Sequence, residues 1–332
     1  MDTYLTLSPQ EQRTYCEEAA ARRGLPAASI EKDFWVCWIL RELVNLPDWG
    51  EHLSFKGGTS LSKAWQLIER FSEDIDLVID RTWLGFSEEK PGSKKLERLR
   101  DESAQKIQKE LLPLLLSVLQ PKLTGEWLLR LAKEDEGDEQ TLIFEYPGVM
   151  QGEIGYLRRY VKIEMGARSD TEPSATMSIR PFLNEIFPEN LGNGGFDVRT
   201  VAAKRTFWEK ALLLHEENSR PNRPIRNRLS RHYYDLWSMA EKGIAAEAIA
   251  DMDLFRRVVE HRKVFFRVGS VDYDTMAPGQ LRICPPVGRH MEWAKDYADM
   301  QSEMFYGNPP AFNIVIERIA EVETGFNEGR GS

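Results

Sequence analysis

The spacing of apolar residues changes several times along the chain, and each change marks an element. Ser8-Pro9-Gln10-Glu11 has the form of a capping box and predicts a first helix. A second helix is predicted over 30–43, after the loop around Pro26. Leu53 and Phe55 predict a short strand that runs into Gly57-Gly58. Beyond it Leu61, Ala64, Trp65 and Ile68 recur at helical spacing, with Thr59 or Ser60 placed to cap that helix. The period drops to two in Ile75-Asp76-Leu77-Val78-Ile79, so a strand is expected there, and residues two apart on a strand share a face. Asp74 and Asp76 therefore point the same way. A long helix is predicted over 93–118, ended with the help of Pro121, followed by strands around Trp127, Leu142, Val161 and Met177. The turn-rich run Gly192-Asn193-Gly194-Gly195 predicts a domain boundary. After it the pattern is helical over 201–215, 229–240, 246–265, 290–304 and 311–322, with an ordered loop rich in Gly and Pro over 269–288. The expected fold class is α+β: a mixed sheet flanked by helices in domain 1–192, then a mainly helical domain, 193–332.

Composition narrows the setting. The 332 residues, 42% hydrophobic, are enough for a full core and two domains. No apolar run is long enough to cross a bilayer and no charged-then-apolar leader opens the chain, so a cytoplasmic protein without membrane contact is expected. Cys16, Cys37 and Cys284 are scattered, with neither CxxC spacing nor a nearby histidine, and are expected to be reduced and structural. The net charge of −9 argues against a general polyanion binder, but local charge matters more than the sum. Arg220, Arg223, Arg226, Arg228 and Arg231, interleaved with Asn218, Asn222 and Asn227, lead toward Asp235. Two readings of this loop stand side by side: a phosphate track for RNA, or a solvated loop paired with the chain's own acids. The basic group from Lys90 to Lys109 alternates with Glu97, Asp101, Glu102 and Glu110, which predicts a salt-bridged helix face instead.

The chemistry is concentrated in Lys56-Gly57-Gly58-Thr59-Ser60-Leu61 and, one helix-length later, Arg70-Phe71-Ser72-Glu73-Asp74-Ile75-Asp76-Leu77. Glycines before a helix leave backbone N–H groups open to the phosphates of a nucleotide. Two carboxylates on one strand face repel each other unless a cation lies between them. Mg²⁺, with Mn²⁺ as the alternative, takes oxygen ligands and keeps positions open for triphosphate oxygens. A glycine pair or a DxD alone is commonplace and reads as an ordinary turn or a solvated strand start. Both together, in this order, point to a nucleotide and a metal.

These two segments resemble the signature of the AbiEii/AbiGii nucleotidyltransferase toxins, members of the polymerase-β-like minimal nucleotidyltransferase superfamily. Ile30-Glu31-Lys32-Asp33-Phe34-Trp35-Val36, Arg205-Thr206-Phe207-Trp208-Glu209-Lys210-Ala211-Leu212 and Arg231-His232-Tyr233-Tyr234-Asp235-Leu236 agree with it. The resemblance implies a nucleotidyltransferase-type sheet and a helical domain that completes the active site. It implies Asp74 and Asp76 as catalytic metal ligands and a third carboxylate on a neighbouring strand. In Arg159-Tyr160-Val161-Lys162-Ile163-Glu164-Met165 the alternation puts Lys162 and Glu164 on one face, which makes Glu164 the candidate. Glu145, on the strand around Leu142, is its rival. By family position Lys210 contacts the triphosphate and Asp235 completes the catalytic set, although His232 stands where many members carry an acid. Lys56, Gly57, Gly58, Thr59, Ser60, Arg70 and Ser72 are expected to bind nucleotide, and Glu31, Lys32 and Asp33 to be structural.

The resemblance further implies a toxin of a type IV toxin–antitoxin or abortive-infection pair. It would transfer NMP from an NTP to an RNA acceptor, with the 3′ end of tRNA as target and an antitoxin as partner. Two other functions fit the same residues: a transferase acting on a small cationic molecule such as an aminoglycoside, or a nucleotide-binding module without turnover.

Overall fold

A computed structural model of the protein describes residues 1–150, 159–220, 222–305 and 308–329, except the side chains of 302 and 303. The chain divides into two compact units, one made of residues 1–64 and 71–200, the other of 65–70 and 201–332.

The first unit is built on a seven-stranded mixed sheet. In chain order its strands are β1 (Leu53–Lys56), β2 (Ile75–Ile79), β3 (Leu128–Leu131), β4 (Thr141–Glu145), β5 (Tyr160–Gly166), β6 (Ser174–Ile179) and β7 (Phe196–Val201), arranged β3-β4-β5-β2-β1-β7-β6. Ahead of the sheet come α1 (Asp2–Leu5), α2 (Pro9–Arg23) and α3 (Ala27–Val44). The capping box is present: the Glu11 N–H donates to the Ser8 hydroxyl at 3.3 Å, and the Ser8 N–H to the Glu11 carboxylate at 2.8 Å. Helix α3 is apolar around most of its circumference, as suits a helix covered on all sides. Trp35 stacks on Tyr146 and Trp38 on Phe144, with ring centroids 5.5 and 6.0 Å apart.

Three consecutive buried charges near its start interrupt that apolar helix, each tied to a different segment. Glu31 accepts from the N–H groups of Val149 and Met150. Lys32 pairs with Glu73. Asp33 takes the Lys63 ammonium at 2.7 Å and the Phe182 N–H at 2.7 Å. Buried charges persist only when paired in this way.

Several expected elements differ. The helix after the glycines, α4 (Gly57–Lys63), starts at Gly57 itself and stops before Trp65, so Thr59 and Ser60 lie inside its first turn and do not cap it. Gln66 turns to φ +52°, and residues 65–70 pass to the helical unit, where Leu67 and Ile68 are buried. The long helix is α5 (Ser93–Lys106), a π turn (Ile107–Leu111) and α6 (Leu112–Leu119) in succession. Pro113 lacks the N–H that would meet the carbonyl of Lys109, and the π turn takes up that missing bond. Its apolar stripe of Leu99, Ile107, Leu111, Leu115 and Leu119 is buried, while Arg98–Glu102 and Lys106–Glu110 pair on the outside. Strand β7 was not expected; it lies parallel to β1, Phe55 opposite Thr200, and it takes Val201 out of the following helix. The short helices α7 (Phe182–Ile186) and α8 (Pro188–Leu191) fall within a stretch for which the sequence predicts no element.

In the second unit α9 (Ala203–Asn218) is the buried centre, with Trp208 against Phe255 and Phe326. Around it are α10 (Arg231–Glu241), α11 (Ile244–Ala250), α12 (Met252–Phe265), α13 (His290–Met304) and α14 (Phe312–Asn327). The single helix expected over 246–265 is broken at Asp251, whose carboxylate caps α12 through the Leu254 N–H at 3.0 Å and also holds Lys204 at 2.6 Å. Residues 65–70 dock on α10: the Ser238 hydroxyl donates to the Leu67 carbonyl, and the Glu69 N–H donates to the Tyr234 hydroxyl at 3.2 Å. Among the described residues no helix is long and apolar enough to cross a membrane.

His215, fully buried in α9, accepts the Arg282 N–H on Nδ1 at 3.0 Å and meets the Thr275 hydroxyl through Nε2 at 3.0 Å. Burial, then the charge of Arg282, lowers its pKa to about 4. The unfolded histidine takes a proton near pH 6.5 and the folded one does not, so its contribution is complete above pH 6.5 and is lost as pH falls toward 4. In urea titrations the stability margin of wild type over His215→Gln should shrink by about 3 kcal/mol between pH 7 and pH 4. A margin independent of pH would show that the imidazole ionises freely in the folded state.

Candidate active site

The site of the first unit begins where two strands meet one turn. β1 and β2 are antiparallel, with Lys56 opposite Asp76. Immediately after Lys56 the backbone turns through Gly57 at φ +80° into α4. The carboxylate of Asp76 lies against that turn, and a Cβ placed on Gly57 would fall 1.9 Å from Asp76 Oδ2. Only glycine satisfies both the positive φ and the missing volume. The aspartate pair and the glycine turn, separated in sequence by one helix, are thus in direct contact.

Inside the turn, Thr59 is fully buried. Its hydroxyl donates to the Asp74 carbonyl and meets the Ser72 hydroxyl at 2.9 Å, so the α4 turn and the start of β2 are tied together. Ser60 donates back to the Gly57 carbonyl at 2.9 Å. The half-buried Lys56 reaches the Ser169 hydroxyl at 3.0 Å.

β2 then pairs in parallel with β5, Asp76 opposite Glu164. Asp74 and Asp76 alternate with buried Ile75 and Leu77, which places both aspartates on the sheet face that carries Glu164. Glu145 belongs to β4, opposite Tyr160, and is bonded to Arg130 at 3.0 Å, so Glu164 is the glutamate in register with Asp76. The Asp74 carboxyl is pushed up to about 6 by burial first, then by the charges of Glu73 and Glu164; Lys162 and Lys32 act in the opposite direction. Glu164 pairs with Lys162, two residues earlier on the same strand, and its charge also bears on Asp74. Among the described residues no three His, Cys, Asp or Glu side chains converge as a ready metal set. The crowded oxygen donors on one face nonetheless suit a hard divalent ion, and Asp74 and Asp76 would hold it. Glu164, whose Oε1 pairs with Lys162, is the further candidate ligand.

The second unit holds a buried charged cluster of its own. Asp235, wholly buried, accepts both Nε and Nη2 of Arg70 at 2.7 and 2.8 Å, and the Lys210 ammonium at 2.9 Å. Lys210 Nζ also lies 3.3 Å from His232 Nδ1. Burial alone would raise the Asp235 carboxyl, but the charges of Arg70 and Lys210 outweigh it and hold it well below the usual carboxylate range. Burial lowers the Lys210 ammonium and drives His232 well below its ordinary value, so the imidazole is neutral. Arg70, Lys210 and Asp235, expected from separate parts of the sequence, are brought together here, with His232 added. In the arginine loop, Arg220 pairs with Glu217 at 2.6 Å, and the 68% exposed Arg226 lies 3.6 Å from that same carboxylate.

Sequence reasoning gave Lys162 no role and Lys32 only a structural one. Lys162 was visible as the alternating neighbour of Glu164, but a lysine on a strand face reads as solvated. The partner of Lys32 could not be found from pattern, because Glu73 is far away in sequence.

The profile of the family described as nucleotidyl transferase AbiEii toxin, type IV TA system, matches residues 38–322. No curated protein matches the chain. Among solved structures it is similar to MenT4, a nucleotidyltransferase toxin from Mycobacterium tuberculosis, at 17% identity and a TM-score of 0.37, covering 87% of this chain and 98% of that one.

Two outcomes follow from this geometry. Gly57→Ala must displace either the turn or the Asp76 carboxylate by an ångström or more, so nucleotidyl transfer should fall by about a hundredfold or more. Unchanged rates would show that the contact is dispensable. Asp74→Asn should stabilise the metal-free protein, because an acid whose pKa is raised from 3.8 to about 6 on folding opposes folding increasingly as pH rises through that window and fully above it. The gain in urea unfolding should reach about 2–3 kcal/mol at pH 8 and vanish near pH 4. A loss of stability at pH 8 would show that the carboxylate is not strained.

Proposed function

The chain belongs to the AbiEii family of nucleotidyltransferase toxins of type IV toxin–antitoxin systems, and on that premise we propose that it transfers NMP from an NTP to an RNA acceptor in a Mg²⁺-dependent reaction. The proposed acceptor is the 3′ end of tRNA, where added nucleotides would block aminoacylation and stop translation, and the proposed setting is defence against phage. Family membership also implies an antitoxin as partner. The observation that carries the proposal is the contact of Asp76 with Gly57 on the face shared by Asp74 and Glu164.

Asp74 and Asp76, with Glu164 once released from Lys162, would hold Mg²⁺. When bound, the ion would activate the acceptor hydroxyl and offset charge on the α-phosphate and the departing pyrophosphate. The remaining work is done by the chain. Gly57 and Gly58 keep the turn free of side chains, so the phosphates of the nucleotide can approach the backbone there. Thr59 and Ser72 keep the start of β2 fixed against the turn, so the aspartates need not reorganise as charge develops. Lys210 is proposed as the cation for the leaving pyrophosphate, with Asp235 aiming its ammonium and Arg70 aligning Asp235. Support for an RNA acceptor is the exposed guanidinium of Arg226 in a loop with Arg223.

The test incubates the purified protein with Mg²⁺, each labelled NTP and either total tRNA or an aminoglycoside. Label should enter RNA, disappear with EDTA, and fall by about a thousandfold or more in Asp76→Ala, a loss equivalent to about 4 kcal/mol of transition-state stabilisation. Label that enters only the aminoglycoside would replace the RNA acceptor with a small molecule.

A further inference from the structure

Lys162 shares the carboxylate face with Lys56, which lies opposite Asp76 on β1. Ile163 is opposite Ile75 in the parallel ladder, so Lys162 and Glu164 flank one residue of the pair and Asp74 and Asp76 flank the other. The ammonium of Lys162 pairs with Glu164, and its charge also bears on Asp74. Its side chain is 22% exposed, neither locked in the core nor free in solvent. In a site crowded with carboxylates, this lysine supplies positive charge to Glu164 and Asp74.

We propose that Lys162 is a phosphate-binding residue of the transfer reaction, kept in reserve by Glu164: a divalent ion competes with its ammonium for the Glu164 carboxylate, and the released ammonium binds the phosphates of the incoming triphosphate. The inference rests on the proposed function and deepens it by adding one substrate contact. The chemistry favours the exchange. A divalent ion outcompetes a single ammonium for a carboxylate that already has two aspartates beside it. A lysine freed next to a metal-bound triphosphate meets a group that is still net negative, and an ammonium is well suited to bind phosphate as a point charge. Removing Lys162 should therefore have effects of opposite sign on the two ligands, which a purely structural lysine would not produce.

The test compares wild type, Lys162→Met and Lys162→Arg. Mn²⁺ binding to the nucleotide-free protein is followed by electron paramagnetic resonance, and the KM for NTP is measured in the transfer assay. Lys162→Met should bind Mn²⁺ about fivefold more tightly, the scale of one partly exposed ion pair. Its KM for NTP should rise about tenfold, the scale of one charge-assisted hydrogen bond. Lys162→Arg should restore most of the KM. Unchanged or weaker Mn²⁺ binding by a Lys162→Met protein with the wild-type melting temperature would overturn the inference alone. A wild type that binds no Mn²⁺ would overturn the metal-dependent function and this inference with it. If Lys162→Met melts early, Lys162→Gln serves in its place under the same criteria.

Discussion

The carboxylate of Asp76 rests against the bare Cα of Gly57, in the space where any other residue would begin its side chain. Two strands, a turn and a helix must each be in place for that contact to exist. β1 has to deliver Gly57 at the end of an antiparallel ladder, β2 has to present Asp76 on the matching face, and the Thr59 hydroxyl has to hold the start of β2 against the turn. The contact sets a carboxylate against backbone, in the volume that a side chain at residue 57 would fill. On the same face the Asp74 carboxyl is raised, by burial first and then by the charges of Glu73 and Glu164, so its ionised form opposes folding unless a ligand offsets it.

Behind this face the protein spends its stabilising charges differently. Helix α3 carries Glu31, Lys32 and Asp33 within a core of tryptophans, and each ties down a separate segment through an ion pair or a backbone hydrogen bond. Pairs of this kind add little net stability compared with apolar residues, but breaking one leaves a stranded charge, so they favour one arrangement over near alternatives. Lys32 holds Glu73 on the core side of the sheet, which leaves its neighbour Asp74 for the opposite side. Fixed charges behind the sheet and strained charges on its open face are two parts of the same construction.

Much of this could be read from the chain. The period-two run after Asp74, the alternation around Glu164 and the glycine pair each fixed a local conformation, and the family resemblance supplied the long-range association between them. The features that escaped were decided by distant partners. β7 lies beside a glycine-rich connector and becomes a strand because it pairs in parallel with β1, nearly 150 residues earlier in the chain. Trp65 and Ile68 have helical spacing, but α4 stops at Lys63, and the Trp65 indole donates instead to the Val201 carbonyl at 3.0 Å. Lys162 looked like a surface residue because nothing in a sequence distinguishes a solvated lysine from one enclosed by carboxylates.

The six residues 65–70 carry a consequence for dissecting the protein. They leave the sheet unit, dock on α10 and return, and they take Arg70 to Asp235. A fragment cut at the apparent boundary near residue 200 would contain the whole helical array and still lack the guanidinium that compensates its most deeply buried acid. Lys210 would be left to neutralise Asp235 alone, from a position where burial already disfavours its charge. The helical portion is therefore not a module that evolution or an engineer can transplant as one continuous piece of sequence, since part of its electrostatic balance is encoded more than a hundred residues upstream.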